Sequence, residues 1–361
     1  MPSALPSSSR HRRAVRLWLL AAALLVLATL IIGGATRLTE SGLSIVEWKP
    51  VTGIVPPLSD GAWQAEFNKY KAIPQYQILN RGMTLAEFAT IYWWEWTHRI
   101  AARVAVAAFL LPFLWFLWRG WIEPPLRMRL WAIFGLGALQ GAVGWWMVAS
   151  GLDTRIDVSQ YRLALHLTLA CLVYAAIVWT VARLASERRS EAPARIRAGA
   201  IGLLVIVLTQ IYLGALVAGL HAGLAYNTWP LIDGRLVPAT TELFASEPHW
   251  RNFFENRLTV QFDHRMIAYA LVLAAIVHAV DTARAQPGSA TMMGALALAA
   301  AATIQAALGI ATLLTRAPVG LALLHQAMAM AVVTIAVVHA ARLAPSKSAV
   351  MVVPAAASPA S

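Results

Sequence analysis

Four histidines in this 361-residue chain sit where they could bind a metal cofactor. His98, His166, His264 and His325 each fall near the start of a long apolar stretch, and each has a counterpart in the other half of the chain. Imidazole is a ready axial ligand for heme iron, and two facing helices that each present one histidine are how a four-helix bundle grips a heme. For a lone histidine at membrane depth, a hydrogen bond to a neighbouring helix would be as good an account. A duplicated, depth-matched set of four argues for ligation instead. Zinc fits poorly, since Cys171 is the chain's single cysteine and there is no His-x-x-His pair.

Glu95 precedes His98 by three residues and shares its helix face, so its carboxylate could reach the edge of a heme ligated there and act in catalysis. It could equally pair with Arg99 at i+4. In the second half Gln261 takes the place of Glu95, with Asp263 beside His264. That divergence points to one site where chemistry is done and one that serves it. Arg99 and Arg265 follow the two histidines and could contact heme propionates, although snorkelling explains them equally well. His278 and His339 lie 14 residues beyond His264 and His325, which is about 21 Å along a helix and about 40° short of four turns. A second heme beneath the first is one account of them. Ordinary interfacial residues at cytoplasmic helix ends is the preferred one, because the first half has no equivalent. His11, His221 and His249 read as solvated or interfacial.

Such residues need a membrane bundle to position them. The chain is 59 % apolar and only 13 % charged, against about 25 % charged in soluble domains, which excludes a soluble globular enzyme. Its net charge of +12 would suggest nucleic acid in a soluble protein. Here the basic residues flank apolar runs, so no nucleic-acid partner is expected. Eight apolar stretches, at 17–36, 91–118, 130–152, 163–182, 198–232, 261–280, 286–315 and 317–341, each supply the roughly 20 residues that cross a bilayer core. The first is expected to be a membrane helix and not a cleaved signal peptide. Fifteen of the 29 Lys and Arg lie in the tails and the connections of one side, among them Arg188, Arg189 and Lys347. Both termini are therefore expected in the cytoplasm, with the long connections 37–90 and 221–260 outside.

The chain also repeats itself. Gly33, Gly42, Leu43 and Trp48 recur as Gly214, Gly223, Leu224 and Trp229; Gln140 and Gly144 recur as Gln305 and Gly309. The fold class expected is all-α, a polytopic membrane protein of eight transmembrane helices in two pseudo-symmetric four-helix bundles. The division expected is a basic tail 1–16, a first unit 17–184, a linker 185–197, a second unit 198–343 and a tail 344–361. Within the first outer connection, Trp63, Phe67 and Tyr70 line one face of an amphipathic helix. Asp60 is its expected N-cap, and the helix is read as an interfacial anchor in preference to a lid.

The strings GGATRLTESGLSIVEWKPVTGIVPP, EFNKYKAIPQYQILNRGMTLAEFATIYWWEWTHR, LGALVAGLHAGLAYNTWPLIDG and LTVQFDHRMIAY resemble the heme A synthase family, in its alphaproteobacterial and mitochondrial branch. The resemblance implies an enzyme of the bacterial inner membrane, an oxidoreductase that converts the C8 methyl of heme O to a formyl group by two successive hydroxylations. By the same resemblance, heme b is a permanent cofactor on His264 and His325, while heme O is received by His98 and His166 beside Glu95. O₂, an unidentified electron donor and heme O synthase are the implied partners. Family members with cysteine pairs in the outer loops differ from this chain, which has none there. The alternatives are a b-type cytochrome that only carries electrons, and a heme transporter or chaperone.

Overall fold

A computed structural model describes residues 7–185 and 192–344. Among these residues eight helices are long and apolar enough to cross a membrane. They are α1 (Ser7–Leu38), α2 (Leu85–Trp118), α3 (Pro124–Ala149), α4 (Gln160–Ala185), α5 (Ala194–Gly219), α6 (Arg257–Ala285), α7 (Ala290–Leu314) and α8 (Val319–Leu343). The eight expected spans are all there. Helix α2 starts at Leu85, earlier than the apolar run at 91, because Thr84 and Glu87 form a capping box with Thr84 N–H donating to Glu87 Oε2 at 2.7 Å. The linker residues 186–191, the tail beyond 344 and residues 1–6 lie outside the described residues, and with them Arg188, Arg189 and Lys347.

The packing follows the internal repeat. Helix α1 packs along α2 and α4, and α3 along α4; in the second half α5 packs along α6 and α8, and α7 along α8. The halves meet where α4 lies against α5 and α8, and α1 against α8. Since α1 corresponds to α5 and α4 to α8, a pseudo-twofold axis runs between α4 and α8. One seam breaks the symmetry: α6 and α7 pack along their length, whereas α2 and α3 touch only briefly.

Burial explains why α4 sits at the centre. Its Tyr174, Ile177, Val178 and Val181 join Val333 and Val337 of α8 in one core, and Tyr174 Oη lies 2.8 Å from Thr334 Oγ1. Large apolar side chains such as Leu24, Leu111 and Leu273 stay on the outside, which suits a surface facing lipid tails. At the seam, Gln326 of α8 donates to the Leu30 carbonyl of α1 at 2.8 Å. It can do so only because residue 34 is glycine: a Cβ there would fall 1.8 Å from Gln326 Oε1.

The outer helix Asp60–Lys71 is present, with two differences from the reading above. Ser59, not Asp60, is its N-cap, accepting from Ala62 N–H at 3.3 Å. Its apolar face is turned into protein and away from lipid, with Phe67 and Tyr70 buried against Phe88 and Tyr92 of α2 and against Leu43 and Ile45.

Candidate heme-binding sites

Each of the four candidate histidines projects from an even-numbered helix onto a glycine of an odd-numbered one. The pairs are His98 with Gly33, His166 with Gly144, His264 with Gly214, and His325 with Gly309. A Cβ built on these glycines would fall 2.7, 2.8, 3.0 and 2.9 Å from the imidazole carbon Cε1. Any larger residue would push the ring aside, so glycine at these four places sets where the histidine points.

Three of the four rings have a glutamine beside them, four residues before the glycine. Gln140 Nε2 lies 3.1 Å from His166 Nδ1, Gln210 Nε2 lies 3.0 Å from His264 Nδ1, and Gln305 Nε2 lies 3.4 Å from His325 Nε2. All three glutamine carbonyl oxygens are buried without a partner, as are Nδ1 of His98 and of His325. Gln210 Nε2 also donates to the His264 carbonyl at 3.0 Å, which holds its amide as it stands, and Gln305 meets His325 at Nε2 and not at Nδ1. Turning the Gln140 amide over lets its Oε1 accept from His166 Nδ1–H and frees the ring's Nε2 as a lone pair. That is the tautomer an iron ligand needs. His98 differs, because Thr29 holds the place that Gln210 has in the second half, and its hydroxyl is spent on the Leu25 carbonyl. Gln210 was readable from the Gln-x-x-x-Gly spacing at 140/144 and 305/309 but was not singled out.

Beside His98 the Glu95 carboxylate is 2 % exposed and accepts four hydrogen bonds. Oε1 takes two from Arg99, at 3.1 Å and 2.6 Å; Oε2 takes one from Ser44 Oγ at 2.7 Å and one from Ile45 N–H at 2.8 Å. Arg99 in turn donates to the carbonyls of Ile45 and Glu47 at 2.7 and 2.9 Å. The i+4 pair foreseen as the alternative for Glu95 is thus present, and it staples the 44–47 segment onto α2. In the second half, Arg265 donates to Gln261 Oε1 at 2.9 Å and to the carbonyls of Tyr226 and Leu231. The staple is the same, with an uncharged partner. Arg99 spends nearly all its donors on protein, whereas Arg265 keeps a buried Nε–H without a partner.

Two histidine readings are corrected. His278 and His339 are 7 % and 4 % exposed, not interfacial, and their Nε2 atoms lie 2.9 Å apart. Rings in direct contact leave no room for a porphyrin between them. His221 is half-buried at the seam between the halves, with Nε2 2.9 Å from Arg37 Nη2 and 3.2 Å from Asp157 Oδ2. The contact with His221, with Arg37 nearby, holds the Asp157 carboxyl below its usual range.

A profile of the cytochrome oxidase assembly protein family COX15-CtaA matches residues 16–337. Similar proteins include a heme A synthase of Rhodopseudomonas palustris strain BisA53, 59 % identical over 343 residues, covering 95 % of this chain and 94 % of that protein. A heme A synthase of R. palustris strain BisB5 is 59 % identical with 96 % of each covered, and one of Bradyrhizobium sp. strain BTAi1 is 59 % identical with 95 % of each covered.

Proposed function

Because this chain belongs to the COX15-CtaA family of cytochrome oxidase assembly proteins, we propose that it is a heme A synthase, a membrane oxidoreductase that converts heme O to heme A. The observation that carries the proposal is the twice-built histidine site whose two copies differ at one buried position, carboxylate at Glu95 and amide at Gln261. A carrier of electrons alone has no use for that difference.

Heme b is assigned to the second half, and the residues there suit it: His264 and His325 are each backed by glycine, and Gln210 and Gln305 stand beside the two rings. Held by both imidazoles, heme b would supply electrons one at a time. Heme O is assigned to the first half, between His98 and His166. His98 has Thr29 where the other three rings have a glutamine, and its Nδ1 has no side-chain partner. The brief contact of α2 with α3 gives this half a looser wall than α6 and α7 give the other.

Glu95 is assigned the handling of protons for the oxidation of the substrate methyl. All its lone pairs are engaged, so it acts by releasing one donor, and Ser44 Oγ is the one whose hydroxyl can rotate away. O₂ is the assigned oxidant; two hydroxylations give a geminal diol that loses water to leave the formyl group. Arg99 positions Glu95, and Arg265 positions Gln261. The protein is placed in the inner membrane with both termini in the cytoplasm.

Pigment extraction from membranes that express this chain with heme O supplied tests the assignment. Heme A appears if the chain is the enzyme; an electron carrier or a heme transporter returns heme O unchanged.

A further inference from the structure

The inner end of the second half holds a constellation that the proposed reaction does not use. His278 of α6 and His339 of α8 face each other across the bundle with Nε2 atoms 2.9 Å apart and ring planes 76° apart. Each ring rests on a glycine of the neighbouring helix: a Cβ on Gly199 of α5 or Gly294 of α7 would fall 2.7 Å from the respective Nδ1. Gly199 precedes Gly214 by 15 residues and Gly294 precedes Gly309 by 15, while the histidines follow His264 and His325 by 14. The glycine-backed histidine pair is therefore built twice in this half, one copy about 21 Å below the other.

The fold does not require the lower copy. The internal repeat puts Trp18, Pro112, Arg129 and Thr180 at the matching places of the first half, where Trp18 packs on Phe109 and Phe113. An aromatic cluster around Trp18 fills the bundle there, and neither Arg129 nor Thr180 supplies an imidazole. The two imidazoles, nine-tenths or more covered, satisfy each other through one Nε2–H···Nε2 hydrogen bond, and a cation that replaces the shared proton would take both lone pairs.

We propose that His278 and His339 bind one Cu(I) ion, held linearly between their Nε2 atoms. Among the described residues no cluster of three or more His, Cys, Asp or Glu is placed to hold a metal, so a closed tetrahedral zinc site cannot be completed. An ion that is content with two imidazoles is required, and Cu(I) is one. The residues one turn away, Ala275, Thr282, Ala336 and Leu343, are at most 2 % exposed, so the site is dry. Desolvating a divalent ion costs about four times as much as a monovalent one in a Born treatment, which again favours charge +1. With metal–imidazole bonds of about 2 Å, the nitrogens part from 2.9 Å to about 4 Å, roughly half an ångström for each ring.

The test uses the full-length, untagged protein carrying its heme, reduced and anaerobic, titrated with Cu(I) against a chromogenic Cu(I) chelator. The expected result is one tightly held copper per chain, lost in the His278→Ala/His339→Ala double variant while the heme spectrum stays unchanged. Equal copper in both proteins, or none in the wild type at excess Cu(I), overturns the proposal. Should the double variant fold poorly, X-ray absorption on the copper-loaded wild type decides: two nitrogen neighbours and no sulfur support the site, and any other shell refutes it.

Discussion

Glu95 and Arg99 make an ion pair of 2.6 Å one helical turn apart, and the pair doubles as the clasp that holds Ser44 and Ile45 on α2. On the proposed function a carboxylate in this position serves both the fold and the chemistry of the first site, and substitution separates the two roles. Glu95→Gln retains the side chain's size but turns an amide donor toward Arg99 or Ile45 N–H, a loss of about 1–3 kcal/mol. The variant is expected to assemble, keep the heme b spectrum of the second half and make at least tenfold less heme A. Arg99→Leu is the control: if it removes heme A and heme b together while Glu95→Gln spares both, Glu95 has only the clasp to serve.

On the proposed ligand assignment, His264→Ala and His325→Ala each leave the cofactor iron with one protein ligand. Loss of the low-spin heme b spectrum is expected in both, with His98→Ala and His166→Ala retaining it. A six-coordinate spectrum of wild-type shape in both second-half variants would reject the ligand assignment.

Gly214→Ala and Gly309→Ala place a methyl 3.0 and 2.9 Å from the rings of His264 and His325. Both are expected to shift the low-spin spectrum and lower heme content severalfold. Gly137→Ala, where a Cβ meets nothing within 4 Å, should keep full heme content and gain up to about 1 kcal/mol of helix stability. Equal heme loss in all three would mean that glycine acts through helix flexibility and not through ring placement.

The Asp157–His221 contact spans the seam, and the folded-state pKa of Asp157 is depressed. The stability it contributes is therefore present above the unfolded carboxyl value of about 3.9 and is lost as pH falls through the lower folded value. Asp157→Asn should cost about 0.5–1 kcal/mol near neutrality, with the gap to wild type closing below about pH 4. Thermal unfolding in detergent across pH 3–7 reads this directly, and a gap that widens in acid would contradict it.

Orientation is checked with reporters. A periplasm-active reporter fused after Ser361 should be silent, and one inserted near Asp60 active; activity at both places would break the even count of crossings.

The eight spans and the duplicated histidines were legible because a bilayer imposes length, and a duplicated bundle repeats its spacing. The pairing of Glu95 with Arg99 was legible because i+4 fixes neighbours on a helix. Its partners Ser44 and Ile45 were not, since no period governs the path of the 39–51 connection. The burial of His278 and His339 escaped for another reason. Nearness to a helix end suggests an interface, but α6 and α8 run on to Ala285 and Leu343, and which face turns inward depends on neighbours that one sequence does not name. For the outer helix Asp60–Lys71, amphipathicity gave the apolar face correctly, while Phe88 and Tyr92 decided what it met.

Gln326 follows His325 directly and lodges where a side chain on residue 34 would otherwise be. The consequence is hereditary. A drift from glycine at 34 is tolerated only if position 326 shrinks as well, so after the duplication the two units lost the freedom to mutate separately. A substitution at either position is therefore answered at the other, almost three hundred residues away in the chain.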